Sequence, residues 1–140
     1  MAESLTDYRP SIPLIRRKTI ERLDDLFRSG GCSSYVKTIY VGYEIDSEMV
    51  AAVYGHAKFV EVALSLAEDR ESELLHDANH LTWRTLPKCL RLFSLEEVSE
   101  AEHLLLEAIN RVRGGLHNVC RDNDFYALRR ELLNENNQLP

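Results

Sequence analysis

The run HDANHLTWRTLPKCLRLF, from His76 to Phe93, divides a chain of alternating hydrophobicity from one of helical periodicity. It holds the only tryptophan, Trp83, two of the five histidines, and Pro87, which separates a polar loop from a short strand-like run. Residues 88–93 read as a strand with Leu90 and Leu92 inward. Ser94 and Glu97 follow with the spacing of a capping box, the signature of a helix start. Val98, Ala101, Leu105, Ala108 and Val112 continue at helical spacing, with Leu104 and Ile109 alongside, and Gly114 ends the run. A helix over 95–113 is the expectation.

Upstream, residues 34–45 change the period to two. Tyr35, Ile39, Val41, Tyr43 and Ile45 share one parity and Val36, Thr38, Tyr40 and Gly42 the other, a β-branched and aromatic density that indicates a strand. Asp46 and Ser47 make a turn, so 49–54 returns as an antiparallel partner. Residues 59–66 alternate again, with Val60, Val62, Leu64 and Leu66 on one face and Glu61 and Ser65 on a wet one. A helix over 14–28, striped by Ile20, Leu23, Leu26 and Phe27, precedes the strands and stops at Gly30 and Gly31. Residues 1–13 read as an irregular arm, 14–134 as a single domain ending in a short helix over 123–134, and 135–140 as a frayed tail. The expected fold is α+β: a two-layer sandwich, its three- to four-stranded, mostly antiparallel sheet carrying the N-terminal and long C-terminal helices on one face.

A chain of 140 residues is expected to form one domain without a metal or disulfide staple. Its formal charge of −6 repels phosphate backbones, which makes free nucleic acid a poor partner. The basic run Arg16, Arg17 and Lys18 is a solvated helix face in its plain reading and a nucleic-acid contact in its sharper one. Cys32, Cys89 and Cys120 form no CxxC pair. With no leader-like segment and no run of the ~18 apolar residues that a membrane span requires, a cytoplasmic protein is expected.

Four chemistries stand against plainer readings. His76 and His80, flanking Asp77, would share a helix face and could hold a metal with His56 or Asp69, giving a metal-dependent hydrolase. The glutamate that makes HExxH diagnostic is missing, and solvated histidines are the plain reading. The helix–strands–helix order is also that of restriction-type nucleases, in which Asp46 could serve as one acid. Those enzymes need a Glu-x-Lys pair, and Glu61, Val62 and Ala63 supply no lysine. Cys89 with His80, or Cys120 with His117, lacks a third orienting group, and a strand cysteine is ordinarily an inert buried thiol. No catalytic residue, metal or cofactor is therefore assigned.

The fourth is a binding surface. Tyr35, Tyr40, Tyr43, Tyr54 and Phe59 crowd the first strands, and Trp83 lies in a loop able to close over their open face, with Lys58 and Arg84 nearby. The plain reading is a core between sheet and helix, yet both parities carry tyrosines, so some rings should meet solvent.

The Tyr-rich hairpin over 35–54, the strand 59–66, the Asp77-to-Trp83 loop, the strand 88–93 and the Ser94-capped helix together resemble a small bacterial domain often labelled "predicted transport protein", with relatives found as appendages of restriction-type proteins. The likeness departs at the short final helix and the polar loop near Arg70. It implies a compact α+β module with no established reaction, and nothing in the chain supports transport. The expected function is a binding module that takes a protein partner or small ligand through Tyr40, Tyr43, Tyr54, Lys58, His80, Trp83 and Arg84. The alternatives are a hydrolase using His76, Asp77 and His80, or a nucleic-acid accessory domain. A sheet edge or the 123–134 helix could pair two chains.

Overall fold

The computed structural model describes Tyr8, residues 13–81 and 83–116, and Asn118; the 123–134 helix, the tail, His117 and Cys120 lie outside the described residues. The fold is mixed α+β. In chain order it runs α1 (Leu14–Ser29), β1 (Ser33–Val36), β2 (Val41–Ile45), β3 (Glu48–Gly55), β4 (Val60–Leu64), β5 (His76–Asp77), β6 (Lys88–Leu92), α2 (Leu95–Glu100) and α3 (Glu102–Arg113). The strands form a single antiparallel sheet in the order β1-β2-β3-β4-β6-β5. No helix among the described residues is long and apolar enough to cross a membrane.

Local chemistry accounts for the elements. The Pro13 carbonyl accepts the Arg16 and Arg17 N–H groups at 3.0 and 3.1 Å and opens α1. Asp46 and Ser47 both have positive φ, 50° and 70°, as a two-residue hairpin turn with the twist of its flanking strands requires. Glu97 accepts the Phe93 N–H at 2.5 Å and so braces the start of α2, while the Ser94 side chain makes no capping bond. The single helix expected over 95–113 is interrupted at Ala101.

Six strands replace the expected three to four. The single strand foreseen over 34–45 reverses at 37–40, where the Lys37 N–H donates to the Tyr40 carbonyl at 2.9 Å, and Tyr35 then faces Gly42 across the ladder. Residues opposite one another share a face. The reversal thus places Tyr35 with Gly42 and leaves Tyr43 on the other side, although Tyr35 and Tyr43 have the same parity. The sixth strand, β5, is a two-residue edge taken from the polar stretch before Trp83.

One sheet face meets the helices. Ile20, Leu23 and Phe27 of α1 and Leu104, Leu105 and Ile109 of α3 form one buried cluster with Val41, Tyr43, Val53, Val62, Leu64 and Leu90. Tyr8, from the stretch expected as an irregular arm, belongs to it at 1% exposure. Its hydroxyl accepts the Gly55 N–H and donates to the Ile39 carbonyl.

The opposite, outer face is not open as expected. Gly42, Ala52, Ala63 and Cys89 lie along one rung of the ladder. These small side chains leave depth for Leu81, Trp83 and Leu86, which pack there against Tyr40 and Tyr54. Glu61 and Ser65, expected on a wet face, are 3% and 0% exposed.

Candidate functional site

The outer face of β4 carries a carboxylate where an apolar side chain would be the ordinary choice. Glu61 lies between Tyr54 on β3 and Arg91 on β6, directly opposite both. A carboxylate withdrawn from water costs several kcal/mol unless it is paired, and four groups converge on this one. His80 Nε2 lies 2.6 Å from Oε2, His56 Nε2 lies 3.3 Å from Oε1, and Arg91 Nε lies 3.8 Å from Oε2. The Cys89 thiol donates to Oε2 at 3.7 Å.

Each partner is delivered by a definite element. His56 sits in the β3–β4 turn, where its N–H donates to the Phe59 carbonyl at 3.0 Å and its ring rests on Phe59. His80 rides on a turn tied by two 3.0 Å bonds, Leu81 N–H to the Ala78 carbonyl and Ala78 N–H to the Pro87 carbonyl. Cys89 and Arg91 come from β6. The side chains of His56, His80 and Arg91 are 43%, 45% and 40% exposed, against 4% for Glu61. The arrangement is a buried anion with a hydrated, basic rim.

Cys89 is held in its thiol form. Burial first, and then the charge of Glu61, pushes its thiol up to about 12, with Arg91 opposing, so it stays protonated at neutral pH. The same Glu61 oxygen, Oε2, contacts both this thiol and His80 Nε2, and Cys89 is the buried strand thiol of the plain reading.

The hydrolase set His76, Asp77 and His80 is not assembled either. His76 and Asp77 are successive residues of β5 and point to opposite faces, and no helix joins them to His80. Asp77 accepts a 2.8 Å hydrogen bond from Lys88, which holds its carboxyl below the usual range. Among the described residues, the set able to hold a metal is Glu61, His80 and Cys89, whose donor atoms all lie within 4.8 Å of one another.

Beside this cluster stands the aromatic group. Trp83 Nε1 donates to the Tyr54 hydroxyl at 2.9 Å, and Tyr40 packs against both rings at centroid distances of 5.6 and 5.5 Å. Trp83, Arg84, Asp77, Asn79 and Lys88 line a cavity of about 260 Å³. Five of the expected binding residues, Tyr40, Tyr54, His80, Trp83 and Arg84, thus fall on or beside the outer face. Lys58 is exposed in the β3–β4 turn. Tyr43 is a correction: fully buried on the helix side, it stacks on Phe27 at 4.7 Å and donates to Asp24 at 2.7 Å. In the basic run, Arg16 and Arg17 donate to the carbonyls of Phe93 and Tyr8, so two of its three charges hold backbone.

Sequence reasoning missed Glu61 and its link to Cys89 and His80. The available signal was a lone carboxylate within a strand otherwise apolar on both parities. Comparison with protein-family models, curated proteins and solved structures finds no match to this chain, so the site is read from its own atoms.

Proposed function

We propose that the chain is a binding module that receives a protein partner or a small ligand on the outer face of its sheet, beside the 76–87 segment. The observation that carries the reading is the cavity bordered by Trp83 and Arg84, backed by the Trp83–Tyr54 hydrogen bond. A half-buried indole fixed at its N–H end is a rigid, amphipathic wall of the kind that recognition sites use. At about 260 Å³ the cavity is just below the usual ~300–1,000 Å³ of drug-sized sites. It suits a small polar molecule or a single side chain of a partner. Its lining mixes Arg84 and Lys88 with Glu68 and Asp77, which favours a ligand bearing both donors and acceptors. The resemblance to the small bacterial α+β domain fits a module of this kind, and a reducing cytoplasm fits Cys32 and Cys89, the buried free thiols among the described residues.

Trp83 is the only tryptophan, so its fluorescence reports on this site alone. A library of small amides, amino acids and carboxylates would be screened by ligand-observed NMR and the hits titrated against that emission. Hits that shift Trp83 emission in the native protein, and bind more weakly to Arg84→Ala, are the expected result. Hits that leave the emission unchanged and map to the groove between α1 and α3, around Arg22, Leu106 and Arg113, would refute it.

A further inference from the structure

We propose that Glu61, His80 and Cys89 form a zinc site on the outer face of the sheet. The proposal stands on the donor set and its placement, and needs no ligand in the neighbouring cavity.

The donor chemistry selects the ion. A thiolate with an imidazole suits zinc and its borderline neighbours, whereas magnesium and calcium take all-oxygen shells. Zinc binds sulfur at ~2.3 Å and nitrogen or oxygen at ~2.0–2.2 Å, so tetrahedral ligands stand roughly 3.3–3.6 Å apart. Cys89 Sγ and Glu61 Oε2 are already 3.7 Å apart. His80 Nε2, at 2.6 Å from the same oxygen, is at hydrogen-bond distance and has to open by somewhat less than 1 Å as the ion takes the place of the proton. The donor atoms lie within 4.8 Å of one another, so closing on one centre takes movements of about an ångström.

The scaffold can supply that movement. Glu61 and Cys89 stand on adjacent strands, β4 and β6, and form a fixed base. His80 comes from a turn, with 45% of its side chain in water, and is the ligand free to adjust. His56 holds the second oxygen of Glu61, the position from which an outer partner orients a metal-binding carboxylate.

Charge agrees. One thiolate and one carboxylate neutralise a dication, so the loaded site carries no net charge. On binding, the Cys89 thiol proton leaves to solvent as the sulfur–zinc bond forms. Arg91 opposes the ion at 3.8 Å from Glu61, but 40% of its side chain is exposed and it can turn outward. Three protein donors leave a fourth position for water or for a donor on whatever docks there.

The test uses the full chain, stripped with chelator and then titrated with cobalt(II) as the optical stand-in for zinc, and with zinc itself by competition against a chromophoric chelator. Expected are one equivalent of metal, near-ultraviolet thiolate-to-cobalt absorption, and loss of both in Cys89→Ala and in His80→Ala. His56→Ala should weaken zinc by about 10–100-fold, as outer-shell changes do. Melting curves accompany each variant. Should Cys89→Ala fail to fold, His80→Ala, altered at an exposed side chain, carries the decision. The proposal is overturned if no stoichiometric metal is retained, if cobalt binds without the thiolate band, or if His80→Ala binds zinc as tightly as the parent. Glu61 would then be an ion-paired carboxylate with no metal.

Discussion

Among single residues, Tyr43 and Tyr54 mark the two faces of the sheet. Both are aromatic strand residues near full burial, but Tyr43 donates into the helix layer through Asp24 while Tyr54 accepts from Trp83 on the other side. Their residue type could not distinguish them; only the register of the ladder does. Cysteine behaves the same way. Cys89 reads as an inert strand thiol and Cys32 carries no reading of its own, yet burial pushes both up to about 12 from an ordinary 9. A thiol whose folded value lies above its unfolded one adds stability fully present below pH 9, and that contribution fades as pH rises toward 12. At pH 8, metal-free protein should therefore resist iodoacetamide at Cys32 and Cys89 until urea is added, with peptide mapping separating them from Cys120. Rapid labelling of either in the folded state would contradict this account of their burial.

Elements were legible where periodicity is local. The stripe Ile20, Leu23, Leu26 and Phe27 gave α1, and every member is buried. The stripe from Val98 to Val112 likewise gave the C-terminal helices, except for the interruption at Ala101. The hairpin reversal at 37–40 was not legible, because Thr38, Ile39 and Tyr40 are strand formers and no Gly, Pro or Asn marks the turn. Nor was β5, whose two residues exist as strand only through pairing with Cys89 and Lys88. The β1–β2 hairpin depends on the close approach of Tyr35 to Gly42, where a Cβ would overlap the ring. Gly42→Ala should thus lower unfolding free energy by about 1–3 kcal/mol in urea titration. An unchanged midpoint would mean that Tyr35 is not seated over Gly42.

Across the whole molecule, the two faces of the sheet divide the work. The helix-covered face holds the large continuous core, and the outer face holds a smaller cluster beside a buried carboxylate. Alternation along β4 correctly set Val60, Val62 and Leu64 apart from Glu61, but nothing local to the strand announced that the 78–87 segment would cover it. That cover is a long-range event, fixed by the bond from Ala78 to Pro87 and by the room above Ala52 and Ala63. On this view Glu61 is present for what the outer face binds and contributes little to folding. Its partners His56, His80 and Arg91 remain hydrated enough to lose it without leaving a buried charge behind. The most direct test is the urea unfolding of Glu61→Met beside the parent, both in EDTA so that no bound metal adds stability. An unchanged midpoint, or a gain within the ~1–4 kcal/mol seen when buried ionic groups give way to apolar ones, is the predicted result. A loss of about 3 kcal/mol or more would make Glu61 a structural residue and contradict the account.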